Sequence, residues 1–160
     1  MDETRGRIER LYSAHIQEAT RLAYLMTGER ELSEDLAQDA FVRAAGRFQH
    51  LRGDDAFSGY LMTSVVNACR GNWRRRKVER AYLEKFRGQQ TVSVDPDVGT
   101  RLAIKDALSH LSSRQRVAVV LRHYTDLSEQ RTAELMGCSV GTVKTLVSRG
   151  LRTLRERMDT

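Results

Sequence analysis

The chain has 160 residues, 40% of them apolar, and a formal net charge of +6 from 27 Lys and Arg against 21 Asp and Glu. That length allows one medium domain or two small ones, and no apolar run approaches the roughly 18 residues a bilayer-spanning helix needs. The charged start MDETRGRIER carries no apolar signal segment and Cys69 and Cys138 cannot build a disulfide framework, which predicts a cytoplasmic protein with no membrane contact of its own.

One proline and 11 glycines argue for long helices and against a sandwich or barrel. Ile8, Leu11, Tyr12, His15, Ala19, Leu22, Ala23 and Met26 recur at helical spacing, and Gly28 fits the stop. Ser33 is placed as the cap of the next helix, with Glu34 and Asp35 favourable in its first turn. That helix buries Leu36, Ala37, Ala40, Phe41 and Ala44. A short polar loop is expected at 50–55. A third helix follows, with Phe57, Tyr60, Leu61, Ser64, Val65, Ala68 and Cys69 on its apolar face and Arg70, Arg74, Arg75, Arg76 and Lys77 on the other. The stretch RGQQTVSVDPDVGT has no helical period and holds the only proline; it reads as a flexible linker over 87–100 between a domain at 1–86 and another at 101–160. As a coil it reaches about 20 Å root-mean-square.

The second half restarts with Ile104, Ala107, Leu108 and Leu111. Ser112 with Gln115 has the spacing of a capping box, and Val117, Val120, Leu121 and Tyr124 mark the helix behind it. Ser128 is placed as the cap of a short helix, Glu129–Met136, stopped by Gly137. Ser139 is placed as the cap of a last helix running to about Met158, with Val140, Val143, Val147, Leu151 and Leu154 as its buried face. The expected fold class is all-α: two small helical domains on a flexible linker, the C-terminal one a four-helix domain containing a helix-turn-helix.

Charge is unevenly distributed. Residues 1–48 are net −2, 49–85 net +4, 86–100 net −1 and 101–160 net +5. Basic blocks on helices suit a polyanion, though such blocks also occur as plain solvated surface. The turn Gly137-Cys138-Ser139 between a short helix and a capped basic one meets the requirements of a helix-turn-helix. Thr142, Lys144, Thr145, Ser148, Arg149 and Arg152 form the outer face of the last helix: short hydroxyls allow close approach to a major groove, and Lys and Arg reach phosphate or guanine edges. An ordinary helical hairpin with a polar face would share part of this pattern.

Two segments a full domain apart carry a family resemblance. Leu127-Ser128, Ala133-Glu134-Leu135-Met136-Gly137-Cys138-Ser139-Val140-Gly141-Thr142-Val143-Lys144 and Val147-Ser148-Arg149 resemble the promoter-reading C-terminal domain of extracytoplasmic-function sigma factors, the group IV branch of the sigma-70 family of bacterial RNA polymerase. Asp35-Leu36-Ala37-Gln38-Asp39-Ala40-Phe41-Val42-Arg43-Ala44 is similar to that family's polymerase-binding helix, and Tyr60-Leu61, Val66-Asn67 and Trp73-Arg74-Arg75-Arg76 to its −10-element helix. The resemblance covers nearly the whole chain outside the linker, in the family's order.

It implies a factor that binds core RNA polymerase and directs promoter recognition, −10 melting and initiation. Asp35, Gln38, Asp39 and Arg43 would contact the clamp helices of the largest subunit, with the flap of the second-largest subunit as a further contact. Phe41 is assigned to the core. His50, Asp54 and Asp55, with Asn67, Arg70, Trp73, Arg74, Arg75 and Arg76, would engage the −10 element, where a base leaves the stack at a cost of a few kcal/mol offset by pocket and phosphate contacts. Trp73 either stacks on DNA or fills the core. Thr142, Lys144, Thr145, Ser148, Arg149 and Arg152 would read the −35 duplex. An anti-sigma factor is an expected partner.

Departures from the family pattern are Leu146 where a basic residue is common, Thr145 for serine, and Gly71 in mid-helix, where glycine costs about 1 kcal/mol against alanine. The sequence stops just after the last helix, which predicts no added C-terminal domain. His15, His50, His110 and His123 show no metal-ligand spacing with the cysteines, no phosphate-binding glycine loop occurs, and no carboxylate pair reads as acid and base. No metal, cofactor or catalytic activity is expected. The competing readings are a dimeric helix-turn-helix regulator independent of polymerase, which would need a palindromic site, and a protein-interaction adaptor, which would show no salt-dependent DNA affinity.

Overall fold

A computed structural model describes residues 2–84 and 100–159; the expected linker at 87–100 lies outside them except for Thr100, which opens a helix. Among the described residues the architecture is all-α: α1 Asp2–Thr27, α2 Arg30–Gly46, a 3₁₀ turn Phe48–His50, α3 Gly53–Glu84, α4 Thr100–Ser109, α5 Ser113–Val119 running into a π turn Val120–Tyr124, α6 Glu129–Met136 and α7 Val140–Met158.

In the first half α1, α2 and α3 pack around Leu22, Ala23, Met26, Ala37, Phe41, Phe57, Leu61 and Val65, all buried. Tyr12, Phe41 and Phe57 form an edge-on ladder with centroids 5.0 and 5.6 Å apart. Gly28 ends α1 with φ 73°, the left-handed stop, and its N–H donates to the Tyr24 carbonyl at 2.7 Å. So tight a reversal restarts the chain at once, and this corrects the placement of Ser33. The residue before α2 is Glu29, with no side-chain cap bond. Ser33 lies one turn inside, buried, its hydroxyl donating to the Arg30 carbonyl at 2.7 Å, a back-bond that satisfies it without a helix end. The expected loop at 50–55 is also shorter than read. Gly53 at φ 84° opens α3, and Asp54 and Asp55 occupy its first turn, where the helix dipole favours anions.

In the second half the serine caps form as read. Ser112 Oγ accepts from Gln115 N–H at 3.2 Å while Gln115 Oε1 accepts from Ser112 N–H at 3.3 Å, a complete capping box. The buried face of α7 differs from the expectation. Val140 is 36% exposed because it sits in the first turn, beyond the helices underneath, whereas Val143 and Gly150 are fully covered. At Gly150, α7 approaches α5 so closely that an added Cβ would lie 2.7 Å from Val119 Cγ2. Ile104 and Tyr124, read as core, are about 40% exposed. For Tyr124 the cause is the π turn, in which the Thr125 N–H reaches back to the Val120 carbonyl at 3.2 Å and rotates the register outward.

The halves are not apart. Val117, Ala118, Val120, Leu121, Ala133, Met136 and Val143 belong to the same buried cluster as Leu22, Phe57 and Cys69, and Leu25 of α1 packs against Leu108, Leu111 and Val119. Sequence periodicity identifies each apolar stripe but not that the two sets meet.

Candidate nucleic-acid and polymerase interface

The helix-turn-helix is set by hydrogen bonds local to its own turn. Ser128 Oγ accepts from Arg131 N–H at 3.0 Å and starts α6. Gly137 takes φ 66°, and nothing stands within 4 Å of where its Cβ would be, so backbone conformation rather than crowding makes glycine fit. Cys138 N–H donates to the Ala133 carbonyl at 3.1 Å, and Ser139 Oγ accepts from Thr142 N–H at 3.1 Å to start α7. Ala133, small and buried, lets the two helices close.

Lys144, Thr145, Ser148, Arg149 and Arg152 are exposed on α7. Residues 145, 148, 149 and 152 share one stripe by the i, i+3, i+4, i+7 rule, and Lys144 flanks it. Thr142 is half-buried, its hydroxyl 2.9 Å from Ser139 Oγ, so it contributes to the cap as well as to the face. Beside the stripe lies a cavity of about 390 Å³ with a floor of Val143, Val147 and Leu151 and a rim including Arg122, Arg152 and Arg155. Glu129 lies 3.7 Å from Lys144 Nζ and 3.9 Å from Arg122; at such exposure these pairs orient side chains more than they stabilise.

The basic end of α3 is divided by the structure. Asn67, Arg74 and Arg75 are exposed, and so are His50, Asp54 and Asp55 at the α2–α3 junction. Arg76 pairs with Glu29. Trp73 is half-buried and packs against the core. Arg70 is drawn inward: its Nη1 donates to the carbonyl of Leu135, in the last turn of α6, at 3.1 Å.

On α2, Asp35, Gln38, Asp39 and Arg43 are all exposed, opposite the buried stripe. Gln38 Nε2 donates to the Tyr12 hydroxyl at 2.5 Å, which fixes its rotamer. Val42, 68% exposed, completes this face at positions 35, 38, 39, 42 and 43. Its sequence signal is an apolar residue on the polar side of the helical wheel. Arg116 carries no such signal. It is buried in α5, its Nε donates to the Leu25 carbonyl near the end of α1 at 2.6 Å, and its Nη2 has no partner among the described residues. Burial pushes its pKa down to about 10 against opposing influences from Cys69 and Tyr24. Burial likewise pushes the Cys69 thiol up to about 12, with Arg116 acting in the other direction.

Among the described residues no cluster of three or more His, Cys, Asp or Glu could hold a metal, and no helix is long and apolar enough to cross a membrane. Residues 11–79 match the family model for sigma-70 region 2 and residues 101–154 that for sigma-70 region 4. The chain is 33% identical over 128 residues to the RNA polymerase sigma-E factor of Streptomyces antibioticus, covering 80% of this chain and 71% of that one. It is 34% identical over 145 residues to the ECF RNA polymerase sigma factor SigM of Mycobacterium tuberculosis, covering 88% and 71%. Among solved structures, the sigma factor RpoE of Bartonella quintana, determined with the anti-sigma factor NepR, superposes with a TM-score of 0.77 at 23% identity over 95% of this chain and 96% of that one. The two region matches in this order, with relatives of that name at such identity, make the chain a member of the ECF RNA polymerase sigma factors of the sigma-70 family.

Proposed function

We propose that this sigma factor divides its work among three faces. The α2 stripe of Asp35, Gln38, Asp39 and Arg43, with Val42 at its centre, docks on the clamp helices of core polymerase. The α3 end, with Asn67, Arg70, Trp73, Arg74, Arg75 and Arg76 and the His50–Asp55 junction, takes the −10 element as it melts. The α7 stripe of Thr142, Lys144, Thr145, Ser148, Arg149 and Arg152 reads the −35 duplex. The functional units follow the division 1–86, 87–100 and 101–160.

The observation that carries this reading is the α7 face. A serine-capped helix behind a left-handed glycine turn presents hydroxyls and cations on one open stripe, the arrangement that enters a major groove. Trp73 is only half-buried, which supports stacking on an unpaired base. The chain acts as a recognition subunit without catalysis of its own and works in the cytoplasm, where polymerase is. An anti-sigma factor is a fitting partner, since the similar RpoE was determined with one. Nothing favours a dimeric regulator independent of polymerase.

Run-off transcription with purified core polymerase on a promoter library tests the proposal. The expected result is selection of a discrete set of start sites sharing two spaced elements. Start sites no different from those of core polymerase alone would overturn it.

A further inference from the structure

We propose that Glu129 is a positioning residue for −35 reading: its carboxylate aims Lys144 and offsets the cations around it, so that the chain exchanges general DNA affinity for sequence discrimination. The inference rests on α7 being the −35 reader. It starts from a fixed platform. Asp126, at φ 55°, reverses the chain behind the π turn; aspartate is among the few residues that visit this left-handed region. Leu127 N–H then donates to the Leu121 carbonyl at 3.0 Å, and the Leu127 carbonyl accepts from Arg122 Nη1. Glu129, in the first turn of α6, meets two cations with a different oxygen for each. Its Oε1 lies 3.9 Å from Arg122 Nη2 and its Oε2 3.7 Å from Lys144 Nζ.

Exposure decides which cation anchors and which is steered. The Arg122 side chain is 27% exposed and already bonded to Leu127; the Lys144 side chain is 66% exposed, and Glu129 is its one ionic partner among the described residues. An ammonium on a flexible stem, left to itself, settles on any phosphate, and a phosphate contact carries no sequence information. Held from one side, Lys144 has less freedom to lose on meeting a base edge in one direction. The second effect is charge. Around the cavity beside α7, Glu129 is the one carboxylate among the cations Arg122, Lys144, Arg152 and Arg155. Each cation neutralised within the protein is one fewer set against the phosphate backbone, which is the source of affinity for any sequence.

The test is Glu129→Gln, which keeps the shape and removes the charge. In the full chain, affinity for a duplex of arbitrary fixed sequence is expected to rise about fivefold, the upper end for an exposed ion pair. The slope of log K against log salt should steepen by about 1. In the complex with core polymerase, enrichment of −35 sequences from a randomised promoter library should flatten. Glu129→Asp, which retains the charge, should keep the parent's slope. In a Lys144→Ala background, Glu129→Gln should leave the enrichment that Arg149 and Arg152 still support unchanged, because nothing remains to be aimed. A part played only in the stability of α6 would instead lower the melting temperature and weaken binding to every duplex, and that result overturns the proposal. So does an unchanged salt slope, or a flattening as large without Lys144 as with it. A parent complex that enriches no −35 sequence would remove the −35 reading, and with it the aiming of Lys144; a slope still steepened by Glu129→Gln would leave the charge offset standing.

Discussion

Replacing Gly150 with alanine inserts a methyl group 2.7 Å from Val119 Cγ2 where α7 packs on α5. Carbon atoms pack best at about 3.5–4.0 Å, so about 1 Å of separation must be found. Val119 is β-branched, buried and stiff at χ1, and the Gln115 carbonyl and Cβ stand behind, each 3.7 Å from the new atom. The helices must therefore part, which costs about 1–3 kcal/mol. Exchanging a helical glycine for alanine returns up to about 1 kcal/mol. The expected net loss is about 1–2 kcal/mol in urea unfolding of the full chain followed by circular dichroism. The decisive arm is a double-mutant cycle with Val119→Ala. By itself that change opens a void and costs about 2 kcal/mol, but together with Gly150→Ala it removes the clash. The double variant should then be more stable than the summed single losses predict, by at least about 1 kcal/mol. Losses that add within about 0.5 kcal/mol would refute the argument that steric contact with Val119 is what excludes a side chain from position 150.

Lys144→Glu with Arg149→Glu should abolish transcription from promoters that depend on a −35 element and leave co-purification with core polymerase unchanged. Removing either cation by itself should lower the salt slope of duplex binding, log K against log salt, by about 1. Asp35→Arg with Gln38→Ala should weaken association with core polymerase in a pull-down, while the salt-dependent contact of the full chain with −35 duplex persists. The Cys69 thiol, pushed up to about 12 by burial from its ordinary 9.0, holds its proton in the folded chain while the unfolded chain gives it up. Stability from this group is therefore complete below pH 9 and declines as pH rises toward 12; the measurement is unfolding free energy from pH 8 to 10.5, in which the parent should lose stability relative to Cys69→Ala.

What the sequence made legible was whatever is decided within one turn of chain. Ser112, Ser128 and Ser139 read correctly as caps because their acceptors serve N–H groups three residues on, and Gly137 because a left-handed stop needs no distant partner. Ser33 misled because a serine before acidic residues carries the same signal whether it ends up at a helix start or one turn inside. Which of the two it becomes was settled by Gly28, five positions earlier. On α7 the apolar period includes Val140, whereas a covered position is Gly150, which has no side chain to count. On α2 the polar members Asp35, Gln38, Asp39 and Arg43 mark the stripe in sequence, while Val42 shares their face without carrying a charge. The seam between the halves left no local trace: Arg116 and Leu25 meet across 91 residues of chain, and an arginine bound for a buried helix end looks in sequence like any other surface arginine.

The serine-started helices of the second half also bear on how the chain reaches this state. Each start is secured by partners three residues apart and α6 and α7 by a three-residue turn, so the loops that must close to form this half are short. Low sequence separation of contacts goes with folding in microseconds to milliseconds. The 91-residue closure that joins the halves has far more chain to gather. Docking should thus come last, as a slower kinetic phase that follows completed helix formation and responds to changes at Arg116 while the fast phase does not.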